Sequence, residues 1–315
     1  MTPPRLPAWV ALGGAVFVGV LTAVQARING QLGTRLDNGL VAAVISFGSG
    51  LVLLIVLSAA LPSGRRGAAR LVSGVRESAI PWWMLAGGAA GALTVATQGL
   101  AVGIIGVSLF TVGVVAGQTV CGLVLDRTGY GPAGVVAVTV PRLVGGALAL
   151  LAVGLSLVGD GIGGVPLWMA VLPFAAGVGI AWQQATNGRL RQRVGTPLTA
   201  TLVNFIGGTA ILAVAALVSV SVVGWPTTAP TDVWVYTGGP IGVLYIFLSA
   251  ALVPHTGVLL FGLAVVAGQL VTSVALDAVW PALGSPGLLQ EVAMVAVALL
   301  SVVVAAAPWR RRRRV

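Results

Sequence analysis

VQARINGQLG, Val24 to Gly33, is the stretch on which the reading of this chain turns. It closes an apolar run that begins at Trp9 and sets Gln25 and Asn29 four residues apart, on one face of a helix. WQQATNGRLR, Trp182 to Arg191, carries the same Gln-x-x-x-Asn-Gly pattern at Gln183, Asn187 and Gly188, a shift of 158 positions. Working outward, Gly19–Leu54 aligns on Gly177–Leu212 at that shift, with Leu32/Leu190, Ala42/Ala200, Phe47/Phe205 and Gly50/Gly208 matched. A second block aligns at a shift of 151. It pairs Trp83/Trp234, Gly87/Gly238, Gly91/Gly242, Val107/Val258, Ala116-Gly117-Gln118/Ala267-Gly268-Gln269 and Asp126/Asp277. The chain therefore reads as two copies of one unit.

Composition sets the solvent. Of 315 residues 57% are hydrophobic and 8% charged, with a mean hydropathy of +1.04. A soluble domain carries about 25% charged residues, so most of this surface faces lipid. Apolar runs of about 20 residues without alternation indicate helices, not barrel strands. Ten spans are expected: about 8–26, 39–61, 81–101, 104–125, 133–158, 167–185, 197–223, 234–252, 256–277 and 287–307. The third/fourth and eighth/ninth joints are short enough to predict tight antiparallel hairpins. Arg5, the run to Val24 and small residues at Ala23 and Ala26 resemble a cleaved leader. Because a similar segment recurs mid-chain, a retained span is expected.

All 17 basic residues are Arg. With a cytoplasmic N-terminus, fifteen of them fall on the cytoplasmic side, and Arg27 and Arg35 on the other. This bias predicts both termini inside. Five spans per copy is an odd number, so the second copy must cross the membrane in the opposite sense. The expected architecture is all-α and polytopic: ten transmembrane helices as two inverted five-helix repeats, residues 1–160 and 161–315, with a basic cytoplasmic tail at 308–315. Arg310 to Arg314 in that tail suit anionic headgroups better than nucleic acid. Inverted repeats imply alternating access, with a site near the midplane between them.

Cys121 and His255 are the sole cysteine and histidine, and no His-box, acidic metal cluster or repeat-matched Ser/His dyad is present. No cofactor, metal or catalytic residue is expected, and the chain is not read as an enzyme. Candidate groups for a solute cavity are the amides Gln25, Asn29, Gln98, Gln118, Gln183, Asn187 and Gln269, with Trp182 beside them. An amide in hydrocarbon needs a partner or water, so each either lines a polar path or bridges helices. The Asn29-Gly30 and Asn187-Gly188 pairs equally suit helix C-termini. Trp182 reads either as part of the interfacial aromatic belt or as a stacking surface. Glu291, in the tenth span, is read as a coupling acid or an interfacial acid near a helix N-terminus. Asp126 is expected to pair with Arg127 or Arg142 at the surface.

Two five-helix units in about 300 residues resemble the drug/metabolite transporter superfamily. The run Gln25-x-x-x-Asn29-Gly30, Phe47-x-x-Gly50 and Ala116-Gly117-Gln118 is similar to its YdcZ-like branch. The resemblance implies a secondary transporter, an exporter of a small organic solute, in a bacterial inner membrane. It also implies a central cavity lined by the first, third and fourth helices of each unit. A channel or facilitator and a non-transport membrane scaffold are the alternatives. Two fused units make a monomer sufficient, with a homodimer as the other arrangement.

Overall fold

The computed structural model describes residues 6–156, 167–280 and 288–306. All the regular structure in these residues is helical. Eleven α-helices run in order: α1 Ala8–Arg35, α2 Gly39–Ala60, α3 Pro62–Arg76, α4 Gly87–Thr97, α5 Gly103–Thr128, α6 Val140–Ser156, α7 Leu167–Val194, α8 Pro197–Val223, α9 Gly238–Thr256, α10 Val258–Val279 and α11 Leu288–Ala306. A π turn, Gln98–Val102, joins α4 to α5. Six helical stretches among the described residues are long and apolar enough to cross a membrane. One of them, Trp82–Thr128, has 47 residues. At 1.5 Å per residue that is about 70 Å, far more than one crossing needs. The protein is thus an all-α, multi-pass membrane protein. Trp9, Trp82, Trp225, Trp234 and Trp280 are exposed near helix ends, as an aromatic belt requires.

Several local expectations are corrected. Asn29-Gly30 and Asn187-Gly188 do not end helices, since α1 continues to Arg35 and α7 to Val194. The two short joints do not form tight hairpins. Each turns at a glycine, Gly106 (φ 80°, ψ 167°) and Gly257 (φ 78°, ψ 166°), in a region open to glycine but strained for other residues. From those points α4 packs on α7 and α8, and α9 on α1 and α2, while α5 and α10 pack on each other. The arginine-rich segment after α2 is a helix, α3, not a loop. Pro62 starts it at the first helical position, where a missing N–H costs nothing. Gly64, Gly67 and Gly74 are buried, whereas Val72 and Val75 are exposed beside Arg65, Arg66 and Arg76, the arrangement of an interfacial helix. The Arg310–Arg314 tail lies outside the described residues.

The matched residues pack reciprocally. Phe47 of α2 stacks on Phe205 of α8 with ring centroids 4.7 Å apart. A Cβ at Gly50 would collide with the Phe205 ring, and a Cβ at Gly208 with the Phe47 ring. Gly19 of α1 lies against the Val265 carbonyl of α10, and its match Gly177 of α7 lies against the Val114 carbonyl of α5. Val114 and Val265 are themselves separated by the second shift. Small residues let helix backbones meet where lipid supplies no hydrophobic drive for association.

Substituting Gly19→Ala or Gly177→Ala is expected to destabilise the protein by roughly 1–3 kcal/mol each, because the new methyl meets backbone. Thermal unfolding in detergent reads this, and Gly13→Ala, with nothing within 4 Å of its added carbon, is the neutral control.

Candidate functional site

Two buried amide clusters flank the Phe47–Phe205 stack. In the first, α1 carries Gln25 and Asn29 on one face, and the π turn supplies Gln98. Asn29 Nδ2 donates to Gln98 Oε1 at 2.7 Å, and Gln25 Nε2 donates to the Gly238 carbonyl at 2.8 Å. In the second, α7 carries Gln183 and Asn187, and α8 supplies Asn204. Gln183 Nε2 and Asn187 Nδ2 both donate to Asn204 Oδ1, at 2.8 and 3.0 Å.

Glycine makes room for each amide. A Cβ at Gly91 would lie 2.6 Å from Gln183 Nε2 and 3.0 Å from Phe47 Cζ. A Cβ at the matched Gly242 would collide with Gln25 Nε2 and lie 3.4 Å from Phe205 Cζ. Gly87 faces Asn187 Oδ1 in the same way that Gly238 faces Asn29 Oδ1. All these amides are buried, and several atoms have no hydrogen-bond partner: Gln25 Oε1, Asn29 Oδ1, Gln98 Nε2 and Asn204 Nδ2. An unpaired amide in a medium of low dielectric keeps its full capacity for a polar ligand.

Gln118 of α5 and Gln269 of α10 are also buried and make no hydrogen bond to either cluster; both amide atoms of Gln118 and Oε1 of Gln269 are unpartnered. Trp182 sits in the middle of α7, half-buried against the core around Phe47 and Phe205, away from the helix ends that an aromatic belt occupies. Glu291 is the fourth residue of α11, and its side chain lies outside the described residues. Two apolar grooves of about 540 and 430 Å³ open on the flanks, one between α3 and α8 and one between α2 and α9, and none of the amides lines either.

Asn204 is the residue that sequence reasoning passed over. It is an amide inside an apolar span, the same signal that marked Gln118, but its match is Ser46, so a search for identities missed it. The converse holds at Gln98, whose match is Ser249. Each cluster thus has three amides, the third borne by a different helix.

The acids also depart from expectation. Asp126 does pair with Arg142, at 3.2 Å, but it is buried, not superficial. Its carboxylate accepts the backbone N–H groups of Val258 and Leu259 at 2.9 and 3.1 Å. The matched Asp277 accepts those of Val107 and Ser108 at 3.3 and 2.8 Å, with Arg27 at 3.9 Å. Near the Asp126 end, Arg189 lies over Tyr130 and Trp83, at 5.2 and 5.6 Å from their ring centroids, while Tyr130 and Thr186 hydroxyls meet at 2.9 Å. At the opposite end Arg35 pairs with Asp232 and covers Trp234.

Comparison with known families supplies the class to which this helical bundle belongs. A family model described as "Putative inner membrane exporter, YdcZ" matches residues 10–155 and 168–306. The chain belongs to the YdcZ family. The YdcZ chain is therefore a transporter of the drug/metabolite class, an inner-membrane exporter of a small-molecule solute and not an enzyme. Among curated proteins no match was found.

Asn204→Ala in this YdcZ chain strands two buried donors, at about 1–3 kcal/mol each. A lower melting temperature in detergent is expected, with Asn204→Ser less affected because Ser retains an acceptor.

Proposed function

We propose that this YdcZ chain exports a polar, uncharged or zwitterionic organic solute by alternating access between two inverted five-helix halves. The halves are residues 1–160 and 161–315, with ten membrane crossings and both termini in the cytoplasm. A single chain carries both halves, so a monomer is the proposed working unit. The solute path runs between the halves, past Gln25, Asn29 and Gln98 at one end and Gln183, Asn187 and Asn204 at the other. Gln118, Gln269 and Trp182 contribute further polar and aromatic contacts.

The observation that carries this reading is reciprocity. Each amide pair packs against glycines of the opposite half, Gly238 and Gly242 for one and Gly87 and Gly91 for the other. That relation is what a two-fold axis between inverted halves requires. Turns at Gly106 and Gly257 with nearly equal angles support it independently. The amides can donate and accept, and no carboxylate joins their hydrogen bonds among the described residues. Recognition by neutral hydrogen bonds and aromatic faces follows.

Two experiments test the proposal. In a Cys121→Ser background, Asp37→Cys of the first half is expected to react with an impermeant maleimide from outside, and Arg193→Cys, at the matched turn of the second half, from inside; labelling from one shared side sinks the inverted reading. In proteoliposomes screened with amino acids, nucleosides and cationic drugs, Gln25→Leu and Gln183→Leu are expected to lower efflux of the responding solute by about tenfold or more, equivalent to about 1.4 kcal/mol. Gln118→Leu and Gln269→Leu are expected to lower it as well. No movement of any solute under any gradient would overturn the carrier reading.

A further inference from the structure

The amide clusters leave Asp126 and Asp277 unexplained. We propose that their carboxylates form the two gates of the transport cycle, and that the Asp126 gate opens the more readily. Asp126 and Asp277 are then gate-positioning residues. This inference rests on the inverted-halves reading above.

Each glycine turn strips the helix that follows it of acceptors for its first N–H groups. In a membrane those groups must be satisfied within the protein. At Gly106 the acceptor is Asp277, from the far end of α10; at Gly257 it is Asp126, from the far end of α5. Helices α5 and α10 therefore run antiparallel and are fastened at both ends, and each fastening joins one half to the other. A path between the halves cannot open at an end where the carboxylate still holds the opposing turn. Parting leaves a carboxylate and two N–H groups for water to solvate, which an end opening to an aqueous face provides. Parting both ends at once floods the whole interface. The arrangement favours one open end at a time.

The counter-ions make the ends unequal. Arg142 lies on α6, in the same half as Asp126, and hydrogen-bonds to it at 3.2 Å. When the Asp126 end parts, the ion pair leaves intact. Arg27 lies on α1, in the half opposite Asp277, and stands 3.9 Å from it, donating no hydrogen bond among the described residues. When the Asp277 end parts, those charges separate, at greater cost in a partly desolvated setting. With the N-terminus cytoplasmic, the Asp126 end faces the cytoplasm. An exporter resting open to that side is poised to load.

The test is hydrogen–deuterium exchange of the full chain in nanodiscs, read on peptides covering Val107–Ser108 and Val258–Leu259 in a Cys121→Ser background. The Val258–Leu259 amides are expected to exchange about threefold faster or more. A Cβ at Gly131 would lie 2.9 Å from Val258 Cγ2, so Gly131→Cys with Val258→Cys should form a disulfide that locks that end. Oxidation is expected to stop efflux and to speed exchange at Val107–Ser108 by about threefold or more, both reversed by reductant. Caps with a merely structural role would leave the distant end unmoved by the lock. Unchanged exchange at Val107–Ser108 in the oxidised protein therefore overturns the gate proposal, and equal exchange at the two ends of the unlocked protein overturns the inequality. The disulfide arm needs no substitution of either aspartate, so misfolding of Asp126→Asn or Asp277→Asn leaves the result intact. Same-side labelling of Asp37→Cys and Arg193→Cys would instead mark failure of the inverted reading.

Discussion

Two phenyl rings, Phe47 and Phe205, lie face to face in space that exists only because Gly50 and Gly208 have no side chains. The rest of the bundle is organised about that stack. It fixes how closely α2 and α8 approach, and so where α4 and α9 pass beside them. Gly88 then meets the backbone of α8, and Gly239 that of α2. The same missing side chains leave room for Gln183 beside Gly91 and Gln25 beside Gly242. Polar groups are thus admitted into the middle of a greasy bundle by removing carbon from the facing helix. A side chain at Gly88 or Gly239 would meet backbone, and one at Gly50, Gly208, Gly91 or Gly242 would meet the rings and amides themselves.

A second constraint is the absence of water to satisfy broken helices. A kinked membrane helix must find acceptors for the N–H groups it frees. Here they come from carboxylates at the C-terminal end of the other helix of the α5–α10 pair. A charged group is a stronger acceptor than a carbonyl, and the arginine beside each aspartate limits the cost of burying it. The result ties local backbone geometry at Gly106 and Gly257 to long-range contacts between α5 and α10.

Much of this was legible in the sequence because the duplication left its identities at packing positions. Gly19, Phe47, Gly87 and Gln118 were all flagged by their matches, and each is buried at a helix contact. Helix ends were less legible. Asn-Gly reads as a terminator in water, but α1 and α7 pass straight through it, since Asn29 and Asn187 spend their amides on neighbouring helices and Gly30 and Gly188 sit under Val102 and Pro132. Tertiary contacts override the local preference. Asn204 was invisible to a search for identities, because the two halves keep the third amide on different helices. The aspartates were found but misplaced: a residue at the end of an apolar span looks interfacial, and nothing in the linear text reveals that the opposing turn folds over it. The amphipathic α3 was hidden by its four arginines interspersed with glycine and alanine, whose helical character depends on docking its glycine face against Ser58, Thr196 and Thr199.

The exchange of Ser46 for Asn204 and of Gln98 for Ser249 has a consequence for vectoriality. A carrier assembled from two identical halves offers the same groups to either compartment, so its route is chemically palindromic. On the proposed route a solute would meet an amide presented by the α4–α5 bend at one end and an amide presented by α8 at the other. The hydroxyls of Ser46 and Ser249 are left unengaged at the complementary positions. Fusion of the two units into one polypeptide is what permits that difference to persist, because each position can drift without altering its counterpart. The two amide clusters thus differ in which helix bears the third amide, and a route past them would have a front and a back.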